Sequence, residues 1–91
     1  VGALIEKIFV VKNRLGLHAR PAAMFVQEAA RYKSSIVVVK EGLEVNGKSV
    51  MGLMLLAAES GAKLTIKADG ADELAAVEAL GRIFERKFDE E

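Results

Sequence analysis

The sequence predicts a two-layer α/β sandwich with elements in the order β-α-β-β-α-β-α, a mainly antiparallel sheet with helices packed on one side. Three observations carry that expectation. Short β-rich runs around Ile5–Val11, Ile36–Val39, Leu43–Val45 and Lys63–Ala68 are separated by turn signals. Between and after them the apolar spacing changes from two to three or four residues. No internal repeat or low-complexity linker divides the chain, so 1–91 reads as one domain.

Each element has a local reason. Ile5, Ile8, Phe9, Val10 and Val11 make the first strand, interrupted by Lys7 and closed by the loop Asn13-Arg14-Leu15-Gly16. From about Ala19 to Tyr32 the residues Ala22, Phe25, Val26, Ala29 and Ala30 share one helical face. Pro21 sits near that helix's start, where its missing N–H removes only an orphaned donor. Ile36-Val37-Val38-Val39 is β-branched and apolar on both faces, and Glu41-Gly42 turns into the short strand Leu43-Glu44-Val45. After Asn46-Gly47, Ser49 is placed to cap a helix from about Val50 to Ala58 that Glu59-Ser60-Gly61 would end. Leu64, Ile66 and Ala68 alternate with Lys63, Thr65 and Lys67 as a strand with one face buried. A last helix begins at Asp69 or Asp72, with Leu74, Val77, Leu80, Phe84 and Phe88 on its apolar stripe and Asp89-Glu90-Glu91 as an acidic tail.

Composition narrows the function. Thirteen basic residues balance thirteen acidic ones, so the field that non-specific nucleic-acid binding requires is missing. With no cysteine there is no disulfide framework and no thiolate metal site, and one histidine cannot build a multi-histidine centre. The expectation is no metal and no cofactor. No run approaches the roughly 18–20 apolar residues that span a bilayer, and Val1-Gly2-Ala3-Leu4-Ile5-Glu6-Lys7 meets charge too soon for a secretory signal. A start at Val rather than Met fits a processed or trimmed end. A cytoplasmic monomer with no membrane partner is expected.

The chemistry-bearing segment is Gly16-Leu17-His18-Ala19-Arg20-Pro21-Ala22. His18 stands at a loop-to-helix junction, where unsatisfied N–H groups and the helix dipole favour an anion. Arg20 adds a permanent cation whose donor fork suits phosphate or carboxylate. A positive surrounding disfavours a second positive charge on the ring, leaving a neutral nucleophilic imidazole. That combination suits a histidine that accepts and releases a phosphoryl group better than a metal ligand. Taken singly, each residue has a plainer reading: His18 as a cap or surface residue, Arg20 as a solvated side chain, Gly16 as a turn residue.

Asn13-Arg14-Leu15-Gly16-Leu17-His18-Ala19-Arg20-Pro21-Ala22-Ala23 resembles the active-site segment of the HPr family, the histidine-containing phosphocarriers of the bacterial phosphotransferase system. Asn46-Gly47-Lys48-Ser49-Val50-Met51-Gly52-Leu53-Met54 resembles the same family's regulatory-serine segment. Motif separation, element order and length agree, so the resemblance covers essentially the whole chain. It implies an open-faced sandwich of four antiparallel strands covered by three helices. It also implies that His18 is phosphorylated at Nδ1 by enzyme I, itself charged by phosphoenolpyruvate, and passes the group to an enzyme IIA domain. Arg20 and the N–H groups of the first helix would assist. Both transfers need partner active sites, so the protein is expected to be a carrier and not a free-standing enzyme.

The resemblance gives Ser49 a second role beside capping, as the target of an ATP-dependent HPr kinase/phosphorylase, with altered binding to enzyme I or to a transcription regulator. Val50, Met51, Leu53, Met54, Leu55 and Leu56 make the second helix apolar almost all round. Either it is wholly buried, or Leu53 and Leu56 face inward while Met51, Met54 and Leu55 form a docking patch. On the family pattern the partner contacts are Ala19, Arg20, Ala23, Val50, Met51 and Met54. Leu53-Met54-Leu55-Leu56-Ala57-Ala58 and the Phe88-Asp89-Glu90-Glu91 ending look closer to nitrogen-type relatives, whereas Gly47–Gly52 looks like the kinase-regulated branch. The alternative function is an HPr-like regulatory partner acting mainly through protein–protein contact. A purely regulatory relative can dispense with the histidine, and this chain keeps His18 and Arg20.

Overall fold

The computed structural model describes residues 4–90; Val1, Gly2 and Ala3 of the N-terminal segment and Glu91 of the acidic tail lie outside them. Four strands, β1 (Ile5–Val10), β2 (Ser35–Lys40), β3 (Leu43–Asn46) and β4 (Lys63–Asp69), form one sheet in the order β1-β4-β2-β3. Every neighbouring pair is antiparallel. Three helices, α1 (Ala19–Ala29), α2 (Val50–Leu55) and α3 (Glu73–Glu85), cover one face, and a 3-10 turn over Lys87–Asp89 follows α3. This is the open-faced sandwich expected. Among the described residues no helix is long and apolar enough to cross a membrane.

Strand alternation decides what meets the helices. Leu64, Ile66 and Ala68 of β4 and Ile36 and Val38 of β2 point into the core and are buried. Their register partners' opposite-parity neighbours face outward. On that open side Lys67 lies 3.6 Å from Glu6 and 3.2 Å from Glu44, bridging three strands, and Ile8 is largely exposed. From the helical layer come Ala22, Phe25 and Ala29 of α1, Leu53 of α2, and Ala76, Val77, Leu80, Ile83 and Phe84 of α3. Phe84 is the aromatic hub: it stacks on Phe9 with centroids 5.3 Å apart and meets Phe25 and Phe88 edge-on at 6.1 and 5.0 Å.

Several expectations are corrected. The first strand ends at Val10; Val11 is buried in the loop, donating to Ala62 O and accepting from Gly61 N. α1 stops at Ala29, not Tyr32, because Arg31 and Tyr32 donate three residues back, to Glu28 and Ala29, in tightened turns. Ala30 is exposed. In β3, Leu43 is exposed at the end of an edge strand and Val45 alone packs on the core. α2 ends at Leu55 rather than Ala58, because Ala57 takes a left-handed φ of 50°. On α3, Leu74 faces solvent and Glu73 is buried in its place, its carboxylate accepting from Gly70 N at 2.9 Å. Phe88 does not extend the α3 stripe: it is buried from beyond the helix, through a turn in which Lys87, Phe88 and Asp89 all have left-handed φ.

Candidate functional site

The loop before α1 is built around Asn13 and Gly16. Gly16 has φ +76°, and a Cβ there would come within 2.5 Å of Ala58 O. The close approach lets Leu17 N donate to that same carbonyl at 2.9 Å, fastening the loop to the segment after α2. Asn13 is fully buried, and its Nδ2 donates to Gly16 O at 2.7 Å. The chain therefore enters α1 from a fixed direction, with His18 at the N-cap position in extended backbone geometry.

His18 does not cap the helix with its side chain. Its carbonyl accepts the first helical bond, from Ala22 N at 3.0 Å, while its ring is free to face outward and is partly exposed. The N–H groups of Ala19 and Arg20 belong to the first turn, ahead of that bond, and Pro21 has none to contribute. Arg20 is exposed, and among the described residues no carboxylate oxygen lies within 4.0 Å of its guanidinium. An arriving anion thus finds unspent donors and an unspent cation at one helix start.

A depression of about 460 Å³ opens beside the ring. Its walls are Arg14, Leu15, Leu17 and His18 on one side, and Met54, Ala57, Ala58, Glu59 and Ser60 on the other. Packing of α1 against α2 brings the two motif segments together. Leu53 of α2 and Leu56 at its C-cap are buried, whereas Met51 (78% exposed), Leu55 (71%) and Met54 (44%) face solvent. The wholly buried reading of this helix is excluded, and the inward and outward sets are those of the other alternative. Of the other contact candidates, Ala19 is exposed and Ala23 and Val50 are half-buried.

Ser49 is the N-cap of α2: its Oγ accepts from Gly52 N at 3.0 Å. Lys48 beside it is anchored, donating from Nζ to Tyr32 O at 2.7 Å and from its backbone to Asn46 Oδ1 at 2.8 Å.

One neighbour of His18 lies outside the residues singled out from the sequence. The chain turns back after α3, and Glu90 Oε1 lies 2.9 Å from His18 Nε2 and 2.8 Å from Asn13 Nδ2. Hydrogen bonds from His18 and then Asn13 hold the Glu90 carboxyl below the usual carboxylate range, with Arg20's charge acting in the same direction. The surroundings of the ring are therefore mixed, a carboxylate on Nε2 and cationic donors at the helix start, rather than uniformly positive. Leu15, 67% exposed at the rim of the depression, is likewise an addition. Its exposure follows from the loop's path, which composition does not reveal.

Comparison with known proteins places these features together. The family model described as PTS HPr component phosphorylation site matches residues 5–86. The chain belongs to the HPr family. It is 47% identical over 88 residues to the phosphocarrier protein HPr of Treponema pallidum, covering 97% of this chain and all of that one. It is 50% identical over 84 residues to the HPr-like protein Crh of Halalkalibacterium halodurans, covering 92% of this chain and all of that one. The crystal structure of HPr from Thermoanaerobacter tengcongensis superposes with a TM-score of 0.92 at 46% identity, covering 96% of this chain and 98% of that one. HPr proteins are phosphocarriers of the phosphotransferase system.

Proposed function

We propose that this HPr-family chain is a phosphocarrier whose His18 Nδ1 accepts a phosphoryl group from phosphorylated enzyme I and passes it to an enzyme IIA domain. The observation that carries the reading is the state of the His18 ring. Nε2 is engaged by Glu90, Nδ1 has no hydrogen bond among the described residues, and the ring stands where the first turn of α1 and Arg20 offer donors to an anion. Arg20 and the Ala19 and Arg20 N–H groups then hold the phosphoryl oxygens. Ala19, Ala23, Val50, Met51 and Met54 supply the surface on which both partners dock in turn, and methionine's flexible thioether suits a surface with more than one partner. The carrier works as a monomer in the cytoplasm.

The test is incubation with enzyme I and labelled phosphoenolpyruvate. Wild type should acquire acid-labile label that His18→Ala lacks. Equal labelling of the variant, or no labelling of wild type by its cognate enzyme I, would overturn the reading.

Ser49 is proposed as a second, regulatory phosphorylation site. A phosphate there would sit at the start of α2 beside Met51, adding about −1.5 to −2 charge to the docking surface and weakening enzyme I binding. Incubation with ATP and HPr kinase/phosphorylase should give acid-stable phosphate that is lost in Ser49→Ala.

The similarity to Crh and the exposure of Met51 and Leu55 favour one further reading, a regulatory partner that binds a transcription regulator. On that reading binding survives His18→Ala and fails in Met51→Ser.

A further inference from the structure

Glu90 is 72 positions from His18 in the chain, and two holds, Phe88 before it and Asn13 against its carboxylate, bring it to the ring. Phe88 is 1% exposed in the aromatic cluster with Phe84, and the left-handed turn at Lys87–Asp89 redirects the backbone toward the loop before α1. The second hold is Asn13. Its Nδ2 faces two acceptors, Gly16 O and Glu90 Oε1, so chemistry fixes the orientation of the amide. The amide's own oxygen is buried with no partner. An orphaned buried acceptor is unfavourable, yet the residue keeps its donor end committed to the loop and to Glu90.

The Glu90 carboxylate can only accept, so the hydrogen between it and His18 Nε2 belongs to the ring. A neutral imidazole with Nε2–H has its lone pair on Nδ1. We propose that Glu90, steadied by Asn13, is a positioning residue for His18: it fixes the ring proton on Nε2, orients the ring, and offsets the positive charge that develops when Nδ1 bonds phosphorus. This rests on the reading of His18 as the phosphoryl acceptor. In the forward step the Nδ1 lone pair forms the N–P bond, and the donor's bond to phosphorus breaks with its electron pair left on the donor atom. The ring, carrying Nε2–H and Nδ1–P, is then an imidazolium facing the Glu90 carboxylate. In the onward step the N–P pair returns to Nδ1 as the acceptor atom bonds phosphorus. No proton moves at Nε2 in either direction. The logic is that of a buried carboxylate holding a histidine in one tautomer, acting here on a nucleophilic ring.

The test uses the full chain, unphosphorylated and ¹⁵N-labelled, as wild type, Glu90→Ala, Glu90→Gln and Glu90→Asp. In wild type the neutral ring should show an NMR pattern of protonated Nε2 and bare Nδ1. Glu90→Ala should show an appreciable Nδ1–H population, and Glu90→Gln, which keeps an acceptor without charge, should retain most of the wild-type pattern. With enzyme I and phosphoenolpyruvate, Glu90→Ala should lower kcat for phosphoryl acceptance by about ten- to a hundredfold with little change in KM. Glu90→Gln should fall between, and Glu90→Asp should recover part of the loss. An unchanged tautomer pattern together with kcat within twofold of wild type would overturn the proposal, as would a loss confined to KM, which would make Glu90 a docking contact. Failure of wild type to be labelled at His18 would sink the acceptor reading instead, while the tautomer comparison would still report on Glu90.

Discussion

The Asp72 carboxylate bonds Ser34 and not the helix it precedes. It accepts from the Ser34 hydroxyl, from Ser34 N at 3.0 Å and from Lys33 N at 2.9 Å, and it makes no side-chain cap to α3. Asp72, one of the two starts the sequence offers for the last helix, is a clasp between the α1–β2 and β4–α3 connections.

That clasp predicts a pH dependence. The Ser34 hydroxyl, and then the Lys33 N–H, hold the Asp72 carboxyl below its ordinary 3.8. A carboxyl with a lowered folded-state value binds protons more readily when unfolded, so its contribution is present above about pH 4 and is lost as pH falls through the lowered value. In Asp72→Ala the urea midpoint should fall most at neutral pH, and the gap from wild type should close on acidification below pH 4. A gap of constant size at every pH would show that the carboxylate's charge is not what the clasp uses.

Gly16 and Gly42 separate backbone conformation from close approach. Both have left-handed φ, +76° and +84°, but a Cβ at Gly42 meets nothing within 4 Å while one at Gly16 meets the Ala58 carbonyl at 2.5 Å. Gly42→Ala should therefore cost about 1–2 kcal/mol, the conformational term alone. Gly16→Ala should cost about 2–4 kcal/mol, because neither backbone can yield without moving Leu17. Chemical denaturation of the two variants measures the difference. It should also displace His18, so Gly16→Ala should accept phosphoryl groups more slowly while Gly42→Ala should not.

On α2, residues two positions apart differ sharply in burial. Leu53 is fully buried and Met51 is 78% exposed. Leu53→Ala should cost about 2–5 kcal/mol through the cavity it leaves. Met51→Ser should lie within about 0.5 kcal/mol of wild type, yet raise KM for enzyme I several-fold. Thermal unfolding and carrier kinetics on the same two proteins decide whether stability and the proposed docking are carried by different residues.

What could be read in advance follows the range of the interaction. The Ser49 cap depends on residues three apart and stands as expected, whereas the inward rotation of Leu53 and Leu56 was one of two alternatives the pattern left open. Strand alternation at Leu64, Ile66 and Ala68 is equally local. Leu74 and Glu73 exchanged places because apolar spacing carries no record of where a carboxylate can go: Gly70 N, three residues back, takes the Glu73 side chain. The apolar stripe overruns the end of α3 because the Phe88 side chain keeps the helical period although its backbone has left the helix. Glu90 was illegible for a stronger reason. Its partner is 72 residues away, and nothing in an acidic tail distinguishes a solvated carboxylate from one aimed at a histidine.

Phe88 is therefore the residue on which the tail and the site should depend together. Left-handed backbone costs an ordinary residue about 1–2 kcal/mol, and Lys87, Phe88 and Asp89 adopt it in succession. Burying one phenylalanine contributes roughly 1.5–3 kcal/mol, and its edge-on contact with Phe84, at 5.0 Å, adds about 0.5–1.5. Those contributions counter much of the turn's backbone cost. Phe88→Ala should destabilise the fold by about 3–5 kcal/mol and, in the molecules that remain folded, free Glu90 from His18 and Asn13. Its His18 tautomer pattern should then match that of Glu90→Ala. Phe88→Leu, which keeps much of the buried volume, should preserve the contact and most of the stability. A Phe88→Ala protein whose His18 spectrum stayed at the wild-type pattern would show that Asn13 alone is enough to hold Glu90 in place.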